Sequence, residues 1–121
     1  MGIEVNGREI NFKYSVGAYM ELERLCAEEG VETLDAYLDN PDNGRRIRNR
    51  IRFICVLSLM GEKATAFEAP GYRPQPLTYD EVATMTPREF ADVFSEAVKA
   101  CANDKKRTIE AVITKKTEAG A

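Results

Sequence analysis

The sequence predicts a mainly α fold with a small β component (α+β): a single domain in which an N-terminal β-hairpin precedes about five helices. Apolar residues alternate around an Asn-Gly pair near the N-terminus, and they recur at helical spacing through most of the remaining chain. The length of 121 residues, with 44% hydrophobic and 31% charged residues, is typical of one globular domain. The sequence contains no run of about 18 apolar residues, so no membrane span is predicted.

The β-hairpin is predicted over residues 3–14. Asn6-Gly7 is a preferred pair for a type I′ turn, whose two central residues both need a positive φ. Alternation on both sides of the turn indicates one buried and one exposed face. The alternating apolar residues are Ile3, Val5, Ile10, Phe12 and Tyr14.

N-terminal helices are predicted over residues 15–61. Ser15 is a suitable N-cap for the first helix, and Gly30 is a suitable residue to end it. A short second helix is predicted at about residues 32–39, because an Asn-Pro-Asp sequence follows and breaks the helical pattern.

The third helix is predicted at about residues 44–60, with a cap at Asp42 or Asn43 and an end at Gly61. Its first half is rich in arginine. Its second half, residues 53–60, is apolar on every side, which is typical of a helix that is buried all round. We therefore expect residues 53–60 to form the centre of the core.

A proline-rich loop is predicted over residues 62–77, because prolines there oppose a regular helix. C-terminal helices are predicted over residues 78–116, each beginning with a capping box. The two boxes pair Thr78 with Glu81 and Thr86 with Glu89. Residues 117–121 are predicted to be a frayed tail.

The residue types that enzymes and cofactor sites use are largely missing. The chain has no histidine, no glycine-rich phosphate loop and no metal-ligand spacing, so we expect no enzymatic activity, cofactor or metal. Cys26, Cys55 and Cys101 each fall on an apolar helical stripe and are predicted to be buried. Their odd number, with no basic-then-apolar leader at the N-terminus, indicates a reducing cytoplasm.

Charge is distributed in blocks of alternating sign. Residues 1–42 contain 10 acids and 3 bases, a net charge of −7, whereas residues 43–61 contain 5 arginines and no acid. Residues 62–104 contain 8 acids and 4 bases, net −4, and residues 105–121 contain 5 bases and 2 acids, net +3. Such blocks can pair within one chain or between copies.

The arginines of the third helix allow three interpretations. They are Arg45, Arg46, Arg48, Arg50 and Arg52. They could contact nucleic-acid phosphates, they could dock an acidic partner or a second copy, or they could form a solvated helix end that balances nearby acids. The chain is acidic overall and has no nucleic-acid-binding motif, so nucleic acid is the least favoured partner.

Two segments resemble tail assembly chaperones of long-tailed bacteriophages and prophages. In the segment INFKYSVGAYMELERLC, a short strand leads into a helix that carries Glu21-Leu22-Glu23, as in that family. The segment LTYDEVATMTPREFADVFSEAVKAC resembles the family's C-terminal half, where a capped segment precedes a long amphipathic helix. The similarity covers most of residues 3–113 as a pattern.

The resemblance implies a mostly helical, non-enzymatic protein of the host bacterial cytoplasm. Such chaperones bind the tape-measure protein, help to recruit tail-tube protein during tail assembly and are absent from the mature virion. The resemblance also implies a homo-oligomer and no membrane partner. This function needs apolar grooves and polar rims rather than catalytic residues.

Phe67 and Tyr72, in the predicted proline-rich loop, are candidate contacts for a partner. The alternative is that they form a hydrophobic plug that holds the loop on its own core.

Two other functions stay open for the whole protein. One is a nucleic-acid-binding regulator that uses the arginine-rich helix at residues 45–52, and the other is a morphogenesis protein of the head–tail joining or tail-terminator type.

Overall fold

The order of elements in the computed structural model confirms the predicted fold class. The structure describes the backbone of residues 2–119 and the side chains of residues 2–106. The elements are β1 (Gly2–Val5), β2 (Arg8–Asn11), α1 (Val16–Glu29), α2 (Leu34–Leu38), α3 (Asn43–Glu68), α4 (Tyr79–Ala83) and α5 (Pro87–Ala119). The hairpin and the five helices form one unit.

β1 and β2 pair antiparallel through a two-residue turn. Asn6 and Gly7 have φ values of 52° and 79°, as the predicted type I′ turn requires. The strand ends at Asn11 rather than at residue 14. The chain after it crosses α3, where Lys13 N donates a hydrogen bond to Leu57 O at 3.1 Å. This crossing replaces the last part of the predicted strand, because the backbone pairs with a helix carbonyl instead of with β1.

The predicted cap residues lie at both ends of the first helix and at the start of the third. Ser15 Oγ accepts a hydrogen bond from Ala18 N at 3.2 Å. Gly30 closes α1 with a φ of 78°, a left-handed conformation that glycine adopts without strain. Asp42 Oδ2 accepts a hydrogen bond from Arg45 N at 2.9 Å at the start of α3. These contacts confirm the cap predictions.

Gly61 does not end α3, which continues to Glu68. A Cβ atom at residue 61 would lie 2.1 Å from Asn11 O and 2.7 Å from Phe12 N. The glycine therefore allows the chain after β2 to cross the helix at close range. The predicted end at Gly61 was wrong, and the loop predicted over residues 62–77 is helical as far as Glu68.

The N-cap hydrogen bond of each predicted capping box is confirmed. Thr78 Oγ1 accepts a hydrogen bond from Glu81 N, and Thr86 Oγ1 accepts one from Glu89 N, both at 3.2 Å. Glu81 also accepts two hydrogen bonds from the guanidinium of Arg8, at 2.7 and 2.8 Å. This bidentate pair ties α4 to the hairpin.

α5 is longer than predicted at its C-terminal end. The sequence predicts an end at residue 116 and a tail over residues 117–121, whereas the helix runs Pro87–Ala119. The first helix breaker after the apolar stripe is Gly120, so nothing in the preceding residues opposes helix. The tail prediction was wrong for residues 117–119, and its last two residues lie outside the described part of the chain.

α3 is the central element of the core and contacts β2 and the four other helices. Phe53, Ile54 and Leu57 are at most 1% exposed. However, the prediction that all of residues 53–60 form the core centre was only partly right. The half-buried or exposed members are Cys55, Val56, Leu59 and Met60. One side of this apolar segment therefore faces outwards.

A buried carboxylate joins three parts of the fold. Glu62 is 1% exposed, and its Oε2 accepts hydrogen bonds from Asn11 N at 3.0 Å and Asn11 Nδ2 at 2.9 Å. Its Oε1 accepts from the Tyr72 hydroxyl at 2.7 Å and from Gln75 N at 3.1 Å. Burial raises the pKa of Glu62, but the hydrogen bonds from Tyr72, Gln75 and Asn11 outweigh burial and hold this pKa below its ordinary value. The ionised carboxylate thus fixes the hairpin and the segment after α3 to the central helix.

Candidate functional site

An open groove with a volume of about 800 Å³ runs between α1 and α3. The α1 wall begins at Gly17 and ends at Glu28, and the α3 wall begins at Arg52 and ends at Met60. Residues 76–79, which lead into α4, also contribute to the lining. Because residues three, four and seven apart share one face of a helix, each wall is a continuous stripe. We call this concavity the α1–α3 groove.

Exposed apolar side chains line the α1–α3 groove beside the ion-paired charges of Glu21, Arg24 and Glu28. Met20 is 65% exposed, Tyr79 is 43% exposed and Leu59 is 36% exposed. Val56 and Met60 are half-buried in the same lining. Large apolar side chains that remain in contact with water and cluster around a concavity are typical of a binding site.

The side chain of Met60 in α3 packs against Gly17 of α1. A Cβ atom at residue 17 would lie 2.9 Å from Met60 Sδ, so any side chain there would push Met60 aside. The unbranched thioether of methionine is flexible and polarizable. Two methionines, Met20 and Met60, therefore allow the α1–α3 groove to adapt to apolar side chains of different shape.

The segment of residues 69–78, which we call the proline loop, is fixed to α3 beside this groove. Leu77 N donates a hydrogen bond to Ser58 Oγ at 3.0 Å. Tyr72 is half-buried, its hydroxyl donates to Glu62, and it is not part of the groove lining. In this position Tyr72 anchors the proline loop to the core.

Phe67 lies in the last turns of α3 rather than in a loop, because the helix extends to Glu68. Its side chain is 90% exposed, so the interpretation of Phe67 as a hydrophobic plug was wrong. It does not belong to the groove lining either. A partner contact at Phe67 stays a prediction, at a position separate from the α1–α3 groove.

The arginines of α3 do not form one continuous face. Arg50 pairs with Asp39 at 3.0 Å, and its guanidinium lies over the Phe94 ring, 4.6 Å from the ring centroid. Arg46 donates a hydrogen bond to Asn40 O at 3.3 Å in the turn before α3. These two arginines bind neighbouring parts of their own chain, as the charge-balancing interpretation expects.

The other three arginines line a second concavity of about 250 Å³, which we call the arginine pocket. Arg45, Arg48 and Arg52 recur at i, i+3 and i+7, so they share one face of α3. The remaining lining residues are Leu25, Glu28, Glu29 and Tyr37. The arginine pocket adjoins the α1–α3 groove because the two have lining residues in common. The shared residues are Leu25, Glu28 and Arg52.

The cysteines offer no reactive thiol. Cys26 and Cys101 are buried, as predicted, whereas Cys55 is half-buried in the groove lining. Burial raises the pKa of Cys55 to about 11, so its thiol is protonated at neutral pH. Among the side chains of residues 2–106, no group of three or more His, Cys, Asp or Glu residues is arranged to hold a metal ion.

Sequence reasoning predicted one residue of the α1–α3 groove, Arg52, and missed its apolar lips. Met20 lies off the buried stripe of α1, which is a local signal that could have identified it. Leu59 gave no such signal, because residues 53–60 are apolar apart from Ser58 and the whole segment suggested burial. Which side of that segment faces outwards depends on the packing of other elements.

No protein-family model matches this chain, and searches against curated proteins and solved structures also return no match. None of the described helices is both long and apolar enough to cross a membrane.

Proposed function

We propose that this chain is a non-enzymatic phage tail assembly chaperone. It binds apolar helical segments of the tape-measure protein in the α1–α3 groove, and it helps to recruit tail-tube protein during tail assembly. It acts in the host bacterial cytoplasm as a homo-oligomer and is not retained in the mature virion. The observation that carries this proposal is the apolar lip formed by Met20, Leu59 and Tyr79.

The dimensions of the α1–α3 groove suit a helical ligand. Its α1 wall extends from Gly17 to Glu28, which corresponds to about 16 Å of helix axis, or three turns, at ~1.5 Å per residue. A ligand helix that presents apolar residues at i, i+3, i+4 and i+7 can bury that stripe in such a groove. The methionines supply the adaptability that a chaperone needs if it binds several different apolar segments.

The contacts of the arginines do not favour the alternative, a nucleic-acid-binding regulator. Such a protein presents cations along an open face that tracks phosphates. Here Arg50 and Arg46 are bound to their own chain, and Arg48 pairs with Glu29 at 2.6 Å. The arginine pocket, which Arg45, Arg48 and Arg52 line, opens beside the α1–α3 groove. We therefore assign the arginines to structure and to protein binding.

Replacement of Leu59 by glutamate is expected to remove most of the chaperone activity. A carboxylate at the groove lip would have to be desolvated against an apolar ligand without a partner, which is costly. The measurement is the soluble fraction of the tape-measure protein of the encoding phage or prophage, co-expressed with wild-type or variant chain. We expect wild type to raise this fraction and Leu59→Glu to abolish most of the increase.

Val98→Glu is the matched control, since Val98 is 39% exposed on α5 and lies outside the groove lining. This variant should retain the wild-type effect on solubility. Thermal unfolding of both purified variants shows whether either one is simply misfolded. A Leu59→Glu variant that solubilises the tape-measure protein as well as wild type would refute the groove as its binding site, and so would equal losses in both folded variants.

A further inference from the structure

Two lining residues of the arginine pocket each have a buried polar atom without a hydrogen-bond partner in the described part of the chain. Tyr37 is 1% exposed and lines this pocket, yet its hydroxyl has no hydrogen-bond partner among the described residues. Arg48 Nε is also buried without a partner in the described part of the chain. Buried polar groups are nearly always paired. Both residues belong to the pocket lining, and their spare hydrogen-bonding capacity favours a polar ligand there.

The charge of the arginine pocket indicates the sign of that ligand. Its lining has three arginines and two glutamates. Glu28 pairs with Arg24 at 3.1 Å, and Glu29 pairs with Arg48 at 2.6 Å. Arg45 and Arg52 form no ion pair with any carboxylate of the described residues. Two guanidinium groups in the lining are thus available to an anion.

The Tyr37 hydroxyl lies near the Arg52 guanidinium with its proton in place. Burial raises the pKa of Tyr37, although Arg52 and Arg48 lie near enough to lower it in part. The hydroxyl therefore keeps its proton at neutral pH. The Arg52 guanidinium lies close enough to the phenol oxygen to lower the pKa of Tyr37, so the phenol proton, rather than the oxygen, is available to a ligand.

We propose that the arginine pocket binds a carboxylate of the protein segment that occupies the α1–α3 groove. The recognised segment is an amphipathic helix whose apolar stripe is followed, at the end nearest Arg52, by a glutamate or aspartate. This inference rests on the proposed function, because it requires a protein ligand in the groove. A planar guanidinium matches a carboxylate through two parallel hydrogen bonds. The shared wall at Leu25 keeps the apolar surface continuous up to the pocket.

The test uses synthetic helical peptides and the full chain. The peptides have about 18 residues, long enough for the groove at ~1.5 Å per residue, blocked termini and leucines at i, i+3, i+4 and i+7. They differ only in one pair of residues next to the leucine stripe, which is Glu-Glu, Gln-Gln or Lys-Lys. Each pair is placed at the N-terminal end of the stripe in one peptide and at the C-terminal end in another. Fluorescence anisotropy of labelled peptides gives the dissociation constants. We expect the better-placed Glu-Glu peptide to bind at least about tenfold more tightly than Gln-Gln, as one charged hydrogen-bonded contact would give, and Lys-Lys to bind most weakly.

Variants of the chain locate the effect. Arg52→Gln and Arg45→Gln should each reduce the preference for Glu-Glu over Gln-Gln to less than about threefold, because the charged contact is lost. Arg46→Gln is the matched control, since Arg46 is on the same helix but outside the pocket lining. It should keep the full preference.

Any of three peptide results would overturn the proposal: equal binding of the Glu-Glu and Gln-Gln peptides, no binding of any peptide, or an unchanged preference in both pocket variants. A single-stranded oligonucleotide that binds through Arg45 and Arg52, without any preference among the peptides, would assign the pocket to phosphate and would also overturn it. The same experiment distinguishes failure of the carboxylate contact from failure of the α1–α3 groove as a binding site. If Gln-Gln binds wild type equally well and is lost in Leu59→Glu, the groove stands and only the carboxylate contact is refuted.

Discussion

Replacement of Gly61 by alanine is expected to lower the free energy of unfolding by about 3 kcal/mol, at the upper end of typical overpacking effects. The added methyl group would lie 2.1 Å from Asn11 O and 2.4 Å from Asn11 C. Both are backbone atoms, so the clash cannot be relieved by rotation of a side chain. Either α3 or the chain after β2 must move, and the hydrogen bond from Lys13 N to Leu57 O lies in the same crossing.

Urea unfolding followed by circular dichroism measures this difference. Gly44→Ala is the matched control on the same helix, because the nearest atom to a Cβ there is Asp42 Oδ2 at 3.7 Å. That variant should not lower the free energy of unfolding, and is expected to raise it by up to about 1 kcal/mol because alanine favours helix over glycine. Equal unfolding midpoints for Gly61→Ala and wild type would show that the close crossing of α3 is wrong.

Glu62→Gln is expected to lower the free energy of unfolding by about 2 kcal/mol, because a buried donor loses its acceptor. Glu62 accepts one backbone N–H at each oxygen, from Asn11 and from Gln75. An amide has only one oxygen. Whichever way the glutamine is oriented, its NH₂ group faces one of these N–H donors. Glu68→Gln, an exposed change on the same helix, should have little effect.

The same residue gives a pH dependence whose sign follows from its pKa. In the folded protein the pKa of Glu62 lies below its ordinary value of 4.5. Its stabilising contribution is therefore complete above that value and is lost as the pH falls through the lowered pKa. The free energy of unfolding of wild type should fall more steeply on acidification below pH 4.5 than that of Glu62→Gln. Parallel pH profiles for the two proteins would contradict this account of Glu62.

Local signals in the sequence predicted much of the fold. Asn6-Gly7 determines its turn through φ values that few other residues adopt. The caps at Ser15 and Thr78 act within three residues of themselves, so a short stretch of sequence contains all the information needed. These elements are confirmed because their causes are local.

The errors arise where a residue's role depends on distant parts of the chain. Gly61 looked like the end of a helix, whereas it allows a crossing by residues 50 positions earlier. Leu59 looked buried because its segment is apolar on all sides. The arginines were treated as one run, although the helical period sends Arg50 towards α2 and α5 and places Arg52 beside α1. Only tertiary packing decides what lies opposite each of these positions.

Site-specific photo-crosslinking tests the central claim, that the α1–α3 groove holds the tape-measure protein, most directly. A photoreactive amino acid replaces Leu59 in one preparation and Val98 in another, two positions of similar exposure. Each is irradiated in the co-expressed complex with the tape-measure protein, and cross-linked peptides are identified by mass spectrometry. The account predicts cross-links from position 59 to apolar helical segments of the tape-measure protein, and few or none from position 98. Equal cross-linking from both positions, or cross-links from position 59 only to a second copy of this chain, would contradict it.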